Sequence, residues 1–472
     1  MNRPRSAFPA TIARSCVALT FLATLRFLEG ANVVAIGDSL TAEYEAIPDL
    51  PNIPAEATAY AEVTVSGWES MSWVEVLAEL RGDDFDFGEN RKLPANWTIP
   101  RFSGFERNWA VPGIAAGQYE DFVTSTALSN FAYWSFRQEL DEELRERADR
   151  VVIWLGANEF RGNYGRLYDG ESGESLIDGL IDDLKRIVRY VKGKNPHLQI
   201  VLVNVPDLGA TPDKQAAHPD PVKRARVTAA IEAANAGIAE LAEEEEIAVA
   251  DAYRQTQRLV QNEPRFFGAV EIINAEDEDN DPHYQFTRDG LHPNTASQIE
   301  IARLIIRAFK QGYGADIRQI KDAEALELLG INPNEPYLKW LENYTVSKRS
   351  FKHDGDEDGM SHLVEYAFSL NPSEPDRDQL PVSVDEPAPG DAGGRSVHYK
   401  PDPARARHVR VRVQYSSDGS TWTSVKQESV ITHGDGSFTA QVPAEGLHLR
   451  LKVALIPPSG STKNVLSSVP LQ

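Results

Sequence analysis

Several short blocks in this chain carry residue types that could act together on an acyl group. Ser39 stands in Gly37-Asp38-Ser39-Leu40-Thr41, directly after the apolar run Asn32–Ile36. A serine at the end of a buried strand offers its hydroxyl to the cleft where open α/β sheets bind ligands. The backbone N–H groups there are placed to meet a developing oxyanion. Serine is also a common helix N-cap, so Ser39 needs partners before it means catalysis. Asp289-Gly290-Leu291-His292-Pro293 supplies a carboxylate and an imidazole three residues apart. On one turn the carboxylate can accept from one ring nitrogen and leave the other free as a base. Two further apolar runs end in Asn108–Gly117, with Gly113 in a small-residue turn, and in Gly156-Ala157-Asn158-Glu159. A glycine N–H or an asparagine amide at a strand end can donate to an oxyanion, although such turns also use Gly and Asn for backbone reasons.

These blocks need strands to deliver them and helices to cover the strands. Asn32–Ile36, Asn108–Val111, Val151–Leu155, Gln199–Val205 and Ile247–Ala250 read as short strands. Val151–Leu155 is wholly apolar, as a parallel strand covered on both faces should be. Helices are expected over 73–80, much of 116–148, 174–193, 221–243 and 295–309, the third with Leu176, Leu180, Leu184, Ile187 and Val191 at helical spacing. Strands alternating with helices imply a parallel sheet with right-handed crossovers. An acidic, irregular insertion is expected over 270–286.

The chain order of the blocks adds to this reading. Strand-GDSL at Ser39, a turn at Gly113, strand-GxN at Asn158 and a late DxxH at Asp289 and His292 resemble the SGNH (GDSL-type) hydrolase superfamily over about residues 32–312. The resemblance implies a flavodoxin-like three-layer α/β/α domain. It implies Ser39 as nucleophile, His292 as base and then acid, and Asp289 as the residue that orients the imidazole. The N–H groups of Ser39 and Gly113 with the side chain of Asn158 would form the oxyanion hole. The chemistry implied is ester hydrolysis through an acyl-enzyme, without a cofactor. Glu159 departs from the Asp usual in the family, and local hydrogen bonding is its expected role.

A second motif lies beyond this domain. Asp354-Gly355-Asp356-Glu357-Asp358-Gly359, followed after five residues by Glu365, fits the pattern of a calcium loop. Asp354, Asp356 and Asp358 can surround one centre, Gly359 allows the sharp turn, Met360 offers a carbonyl and Glu365 can bind bidentately. The preceding segment 346–353 is polar and not helical in pattern, so at most a half-hand is expected, followed by a helix at 362–369. The stretch 353–372 resembles dockerin-type loops and an acidic unit common in exported bacterial enzymes, which implies a structural calcium.

The remaining organisation is an apolar run Cys16–Leu25 behind Arg3, Arg5 and Arg14, read over 1–31 as a signal peptide of a secreted or periplasmic protein. The hydrolase domain is expected over 32–315, a helical connector with the acidic loop over 316–372 and a linker over 373–395. A small C-terminal antiparallel β-sandwich domain over 396–472 is signalled by alternation at Val409–Tyr415 and Leu447–Leu455. Its Tyr415 and Trp422 are either a sugar platform or, more simply, core aromatics. Lys and Arg number 48 against 71 Asp and Glu, a net charge of −23, which argues against nucleic acid or an anionic membrane as partner. The only cysteine is Cys16, which leaves no thiol nucleophile or Cys-ligated metal in a processed chain. No later segment is apolar for long enough to anchor in a membrane. His218, His283 and the acidic run 276–281 are expected at the surface. The expected substrate is an acetylated carbohydrate or lipid-type ester, with glycan contact by the tail as an accessory. The alternative is a calcium-dependent surface, adhesion or glycan-binding protein with an inactive esterase domain.

Overall fold

The structure is a computed structural model that describes residues 30–43, 70–92, 103–124, 131–276, 281–387, 394–459, 461 and 465–471. The apolar run Cys16–Leu25 and most of the acidic run 276–281 lie outside these residues. The chain divides into two compact units, residues up to 264 with 273–320, and 265–272 with 321–472.

In the first unit five strands form one parallel sheet: β1 (Ala31–Gly37), β2 (Phe85–Asp86), β3 (Arg150–Trp154), β4 (Gln199–Val203) and β5 (Ala248–Ala250). The order is β2-β1-β3-β4-β5, with every neighbouring pair parallel. This is the flavodoxin-like winding, whose ligands bind where the strand order reverses, between β1 and β3. Helices α1 (Trp73–Arg81), α2 (Ala116–Thr124), α3 (Phe131–Glu142), α4 (Ala157–Tyr168), α5 (Glu174–Lys194), α6 (Pro221–Glu244) and α7 (Thr295–Tyr313) surround it.

Period-two alternation sends strand side chains to two helical layers. Val34, Ile36, Val151, Ile153, Ile200 and Leu202 form one core with Tyr119, Phe136, Leu184, Ile187, Val227 and Ile231 of α2, α3, α5 and α6. Helix α7 packs with α1 and against β4 and β5. Each fully buried Leu, Ile or Val contributes about 1.5–3 kcal/mol, so these two layers set the rigidity of the strand ends.

Several expectations change, two of them here. Asn108–Val111 is not a full strand, although the segment still runs along β1. Ala35 N–H donates to Arg107 O at 2.9 Å, and Trp109 N–H and Val111 N–H donate to Ala35 O and Gly37 O at 2.7 and 2.9 Å. β2 is too short to cover the whole of β1, and this segment takes the edge that β2 leaves open. The insertion expected to be irregular over 270–286 contains a strand, Val270–Glu276.

The second unit carries α8 (Asp322–Leu328), α9 (Glu335–Leu341) and α10 (His362–Phe368). Its β part has two antiparallel four-stranded sheets, formed from β6 (Val382–Asp385), β7 (Ser396–Tyr399), β8 (Val409–Ser416), β9 (Thr423–Ser424), β10 (Val430–Thr432), β11 (Phe438–Gln441), β12 (His448–Leu455) and β13 (Leu466–Leu471). The orders are β6-β7-β11-β10 and β9-β8-β12-β13. Leu449, Leu451, Val453 and Leu455 are buried as the alternation requires, whereas Leu447 precedes the strand and is 66% exposed. The stretch 373–395, expected as a linker, supplies β6 as an edge strand. Helix α10 is buried within the same core as both sheets, through Leu363, Val364, Tyr366 and Ala367.

Candidate active site

Strand β1 ends at Gly37 because the next turn folds back on it, and a Cβ at Gly37 would collide with the Thr41 side chain. The turn is closed by Thr41 N–H and Ala42 N–H on Asp38 O, at 3.1 and 3.0 Å, and by Leu40 N–H on Asp38 Oδ1 at 2.9 Å. Ser39 sits at its tip, 7% exposed.

The Asp289–His292 segment is held just as tightly. Gly290 takes φ +66°, a left-handed conformation that glycine adopts without strain. Its N–H donates to Thr287 O, and Thr287 N–H donates to His292 O, both at 2.8 Å. Asn294 then caps α7, its side chain accepting from Thr295 N–H at 2.7 Å, an interaction typically worth about 1 kcal/mol.

This loop brings three sequence-predicted residues together. His292 Nε2 lies 2.9 Å from Ser39 Oγ. His292 Nδ1 is hydrogen-bonded to Asp289 Oδ2. The other carboxylate oxygen, Oδ1, accepts from the N–H groups of Leu291 and His292, both at 2.9 Å, and from Thr287 Oγ1 at 2.8 Å. Burial pushes the Asp289 carboxyl up, but the His292 charge and these donors outweigh it and hold it well below the usual carboxylate range. Asp289 is thus ionised and fixed in orientation, and it selects the imidazole tautomer that leaves Nε2 to accept from Ser39.

Gly113 and Asn158 belong to the two neighbouring strand ends. The bond from Val111 N–H to Gly37 O sets the Gly113 turn beside the Ser39 turn, with Gly113 at φ +77°. Gly156, at φ +117°, ends β3 and starts α4, and Asn158 lies in that helix's first turn. The Asn158 amide donates to Asp38 Oδ2 and to Ile114 O, both at 3.0 Å. The amide that the sequence assigned to an oxyanion is therefore also a brace between the three strand ends. Glu159 has the local role expected of it: Oε1 accepts from Ala116 N–H at 2.5 Å, which ties α4 to the start of α2.

Three supporting residues carried no motif. Asn108 donates to Thr41 O at 3.0 Å and accepts from Ala110 N–H at 3.2 Å. Gln298 of α7 accepts from Trp73 N–H at 3.1 Å and donates to Leu40 O at 3.4 Å. Thr287 braces Asp289. None of the three left a signal in the sequence; Gln298 shows its role only through full burial in the structure. His218 and His283, expected at the surface, are half-buried. His218 stands between the Tyr164 and Tyr168 rings, and His283 Nδ1 lies 2.6 Å from Asp281.

Asp38 carries a pH signature. Burial pushes its carboxyl up to about 7, with the Glu159 charge adding and the Leu40 N–H and His292 opposing. A carboxyl whose folded value exceeds its unfolded one holds a proton that the unfolded chain releases, so its contribution to stability falls as pH rises from about 4 to 7. Urea unfolding of wild type and Asp38→Asn across that window should show the decline reduced in the variant. Parallel profiles would mean that Asp38 titrates alike in both states.

The acidic loop of the second unit is a separate cluster. Carboxylate oxygens of Asp354, Asp356 and Asp358 lie within 4.8 Å of one another. Gly359, at φ +86°, turns the chain so that its N–H donates to Asp354 Oδ2 at 3.0 Å. Asp358 N–H donates to Asp356 Oδ1 at 3.2 Å, and Met360 N–H to Asp358 Oδ1 at 2.8 Å. Glu365 enters from α10 with no exposed surface, and neither of its carboxylate oxygens has a hydrogen-bond partner. Burial first, and then the charges of Asp356, Asp358, Asp376 and Asp354, push its carboxyl up to about 9. Residues 346–353 form no helix, so the loop has a following helix only.

Residues 95–298 match the model of the GDSL-like Lipase/Acylhydrolase family, a stretch that begins after Ser39 and holds Gly113, Asn158, Asp289 and His292. No curated protein matches the chain. Among solved structures it is similar to an extracellular lipase of Streptomyces rimosus, at 15% identity and TM-score 0.34 over 59% of this chain and 100% of that one. It is also similar to a phospholipase A1 of Streptomyces albidoflavus, at 14% and 0.33 over 59% and 99%. A third is a carbohydrate esterase family 3 protein of Talaromyces cellulolyticus, at 17% and 0.31 over 61% and 100%. The match over residues 95–298 likens this part of the first compact unit to the GDSL-like lipases and acylhydrolases, a family that acts on ester bonds, and the parallel sheet agrees with that likeness.

Proposed function

We propose that the chain is an exported serine esterase that cleaves carboxylic esters through an acyl-enzyme, with Ser39, His292 and Asp289 as its triad. The observation that carries this reading is the relay from Asp289 through His292 to Ser39, closed by the 2.9 Å contact between Nε2 and Oγ. Ser39 Oγ attacks the acyl carbon while its proton passes to Nε2. The tetrahedral intermediate collapses, the C–O bond to the alcohol breaks, and His292 returns the proton to the departing oxygen. Water then repeats the sequence on the acyl-enzyme and releases the acid.

The oxyanion meets the N–H groups of Ser39 and Gly113, and one Asn158 hydrogen is shared between the oxyanion and its present acceptor. If so, Asn158→Ala lowers kcat by about 10²–10³-fold with little change in KM, the effect of losing one such donor. Steady-state kinetics on one ester decides this. A raised KM with kcat intact would make Asn158 a substrate-binding residue.

The substrate is an acetylated carbohydrate or a lipid-type ester. A panel of p-nitrophenyl esters of rising chain length, beside acetylated xylan and phospholipid, separates these classes. Absence of turnover on all of them would contradict the esterase reading.

Calcium is the structural part of the proposal. Asp354, Asp356, Asp358, Glu365 and the carbonyl of Met360 would hold it. The residues fit such an ion, because Glu365 is fully buried with two unpartnered oxygens under the charges of the neighbouring carboxylates, an arrangement that is costly without a counter-charge. The ion neutralises these charges and takes no part in the ester chemistry.

A further inference from the structure

Beyond the loop, a carboxylate that belongs to no motif is drawn into the same cluster. Asp376 follows α10 by a turn through Asn371 and Pro372 and is 6% exposed. Its backbone N–H donates to Asp358 Oδ2 at 3.2 Å, which sets the residue against the fifth position of the loop. Its Oδ2 accepts from Asn371 N–H at 2.8 Å, whereas Oδ1 is buried without a partner. Buried, unpartnered oxygens are also found on Asp354, Asp356 and Glu365. The nearby guanidinium of Arg377 does not neutralise them, since it donates to the carbonyls of Asp358 and Pro470, at 3.4 and 2.9 Å.

We infer that Asp376 is a further ligand of the cation held by the acidic loop, so that the ion joins two separate segments, 354–365 and the turn after α10. The inference rests on the calcium reading above and extends it. With Asp376 the donor set has five carboxylates and one carbonyl, all oxygen. Such a set suits Ca²⁺, which takes six to eight oxygen ligands in flexible geometry, better than Mg²⁺, which demands a near-ideal octahedron and keeps several waters. The added negative charge should tighten binding, because affinity in such loops follows ligand charge and rigidity. The geometry also gives the ion a structural consequence. Helix α10 begins within the first segment, ends before the second and is buried in the β core, so the ion would clamp both ends of an element on which that core is built.

The test uses the full chain stripped with EDTA and titrated with CaCl₂ by calorimetry, beside the calcium-induced rise in melting temperature. Wild type is compared with Asp376→Asn, Asp376→Glu and the exposed neighbour Asp378→Asn. The expected result is calcium binding by wild type, a loss of at least about tenfold in affinity and a smaller melting shift for Asp376→Asn, and no change for Asp378→Asn. Asn retains an oxygen for the Asn371 N–H, so the calcium-free protein should melt near wild type. If Asp376→Asn fails to fold, Asp376→Glu carries the test. It keeps the charge on a longer arm and should bind calcium with an affinity altered from wild type. Wild-type protein that binds no calcium would remove the reading on which the inference stands. Calcium bound equally well by wild type and both Asp376 variants would leave the loop site intact and overturn the role of Asp376. An equal loss in Asp378→Asn would reduce the effect to diffuse surface charge and overturn it too.

Discussion

Ser39→Ala is expected to lower kcat by about 10⁵–10⁶-fold, to near the background of an unassisted site, while the protein stays folded. The hydroxyl is the only group in the relay that can form the acyl bond, and water positioned by His292 is a poor substitute. Removing it costs one buried hydrogen bond to Nε2, and no apolar packing is lost. The change in unfolding free energy should therefore stay within about 1–3 kcal/mol, too little to unfold the unit. Ester turnover and denaturant unfolding on the same preparation check both halves. Activity within tenfold of wild type would show that the nucleophile lies elsewhere.

Asp289→Asn is expected to lower kcat by about 10⁴-fold with KM within a few-fold of wild type. Asn keeps the shape, and its carbonyl oxygen can still accept from Leu291 and His292 N–H, where Oδ1 accepts now. Its amide would then face His292 Nδ1 and donate to it. The imidazole would have to carry its proton on Nε2, where it could no longer take the proton of Ser39. The variant should also lose an acid-dependent part of stability. The Asp289 carboxyl is held below the ordinary carboxylate range, so the stability its ionised form contributes is lost as pH falls below about 4. A kcat unchanged in Asp289→Asn would mean that His292 is oriented by something other than this carboxylate.

How much of this could be read from the sequence depended on whether a residue's role is local. The strand runs at 32–36, 151–155 and 199–205 and the amphipathic pattern from Leu176 to Val191 were legible, because burial on two faces or one stripe writes itself directly into residue type. Ser39, Asp289 and His292 were legible because strand ends and the DGLHP turn fix them within a few residues. Asn108–Val111 read as a strand, yet only its alternate backbone groups reach β1, since pairing along an edge depends on where β2 stops. Asn108, Gln298 and Thr287 act by hydrogen bonds whose partners are distant in sequence or are backbone atoms, which no local pattern encodes. Asn158 was legible as a donor, but its bond to Asp38 was not, because that bond exists only once β1 and β3 are neighbours. The same limit hid Asp376. The acidic loop is a contiguous pattern, whereas the carboxylate behind it arrives only after α10 has turned the chain back.

The most direct test of the account is labelling with a serine-directed fluorophosphonate, followed by peptide mapping, on wild type, Ser39→Ala and His292→Ala. The probe reports the reactivity of a nucleophile held against its base, independently of which ester the enzyme prefers. The relay from Asp289 through His292 predicts one phosphonyl group per chain on Ser39 in wild type, none in Ser39→Ala, and labelling slowed by orders of magnitude in His292→Ala. A label on another serine, or equal labelling of Ser39 with and without His292, would contradict it.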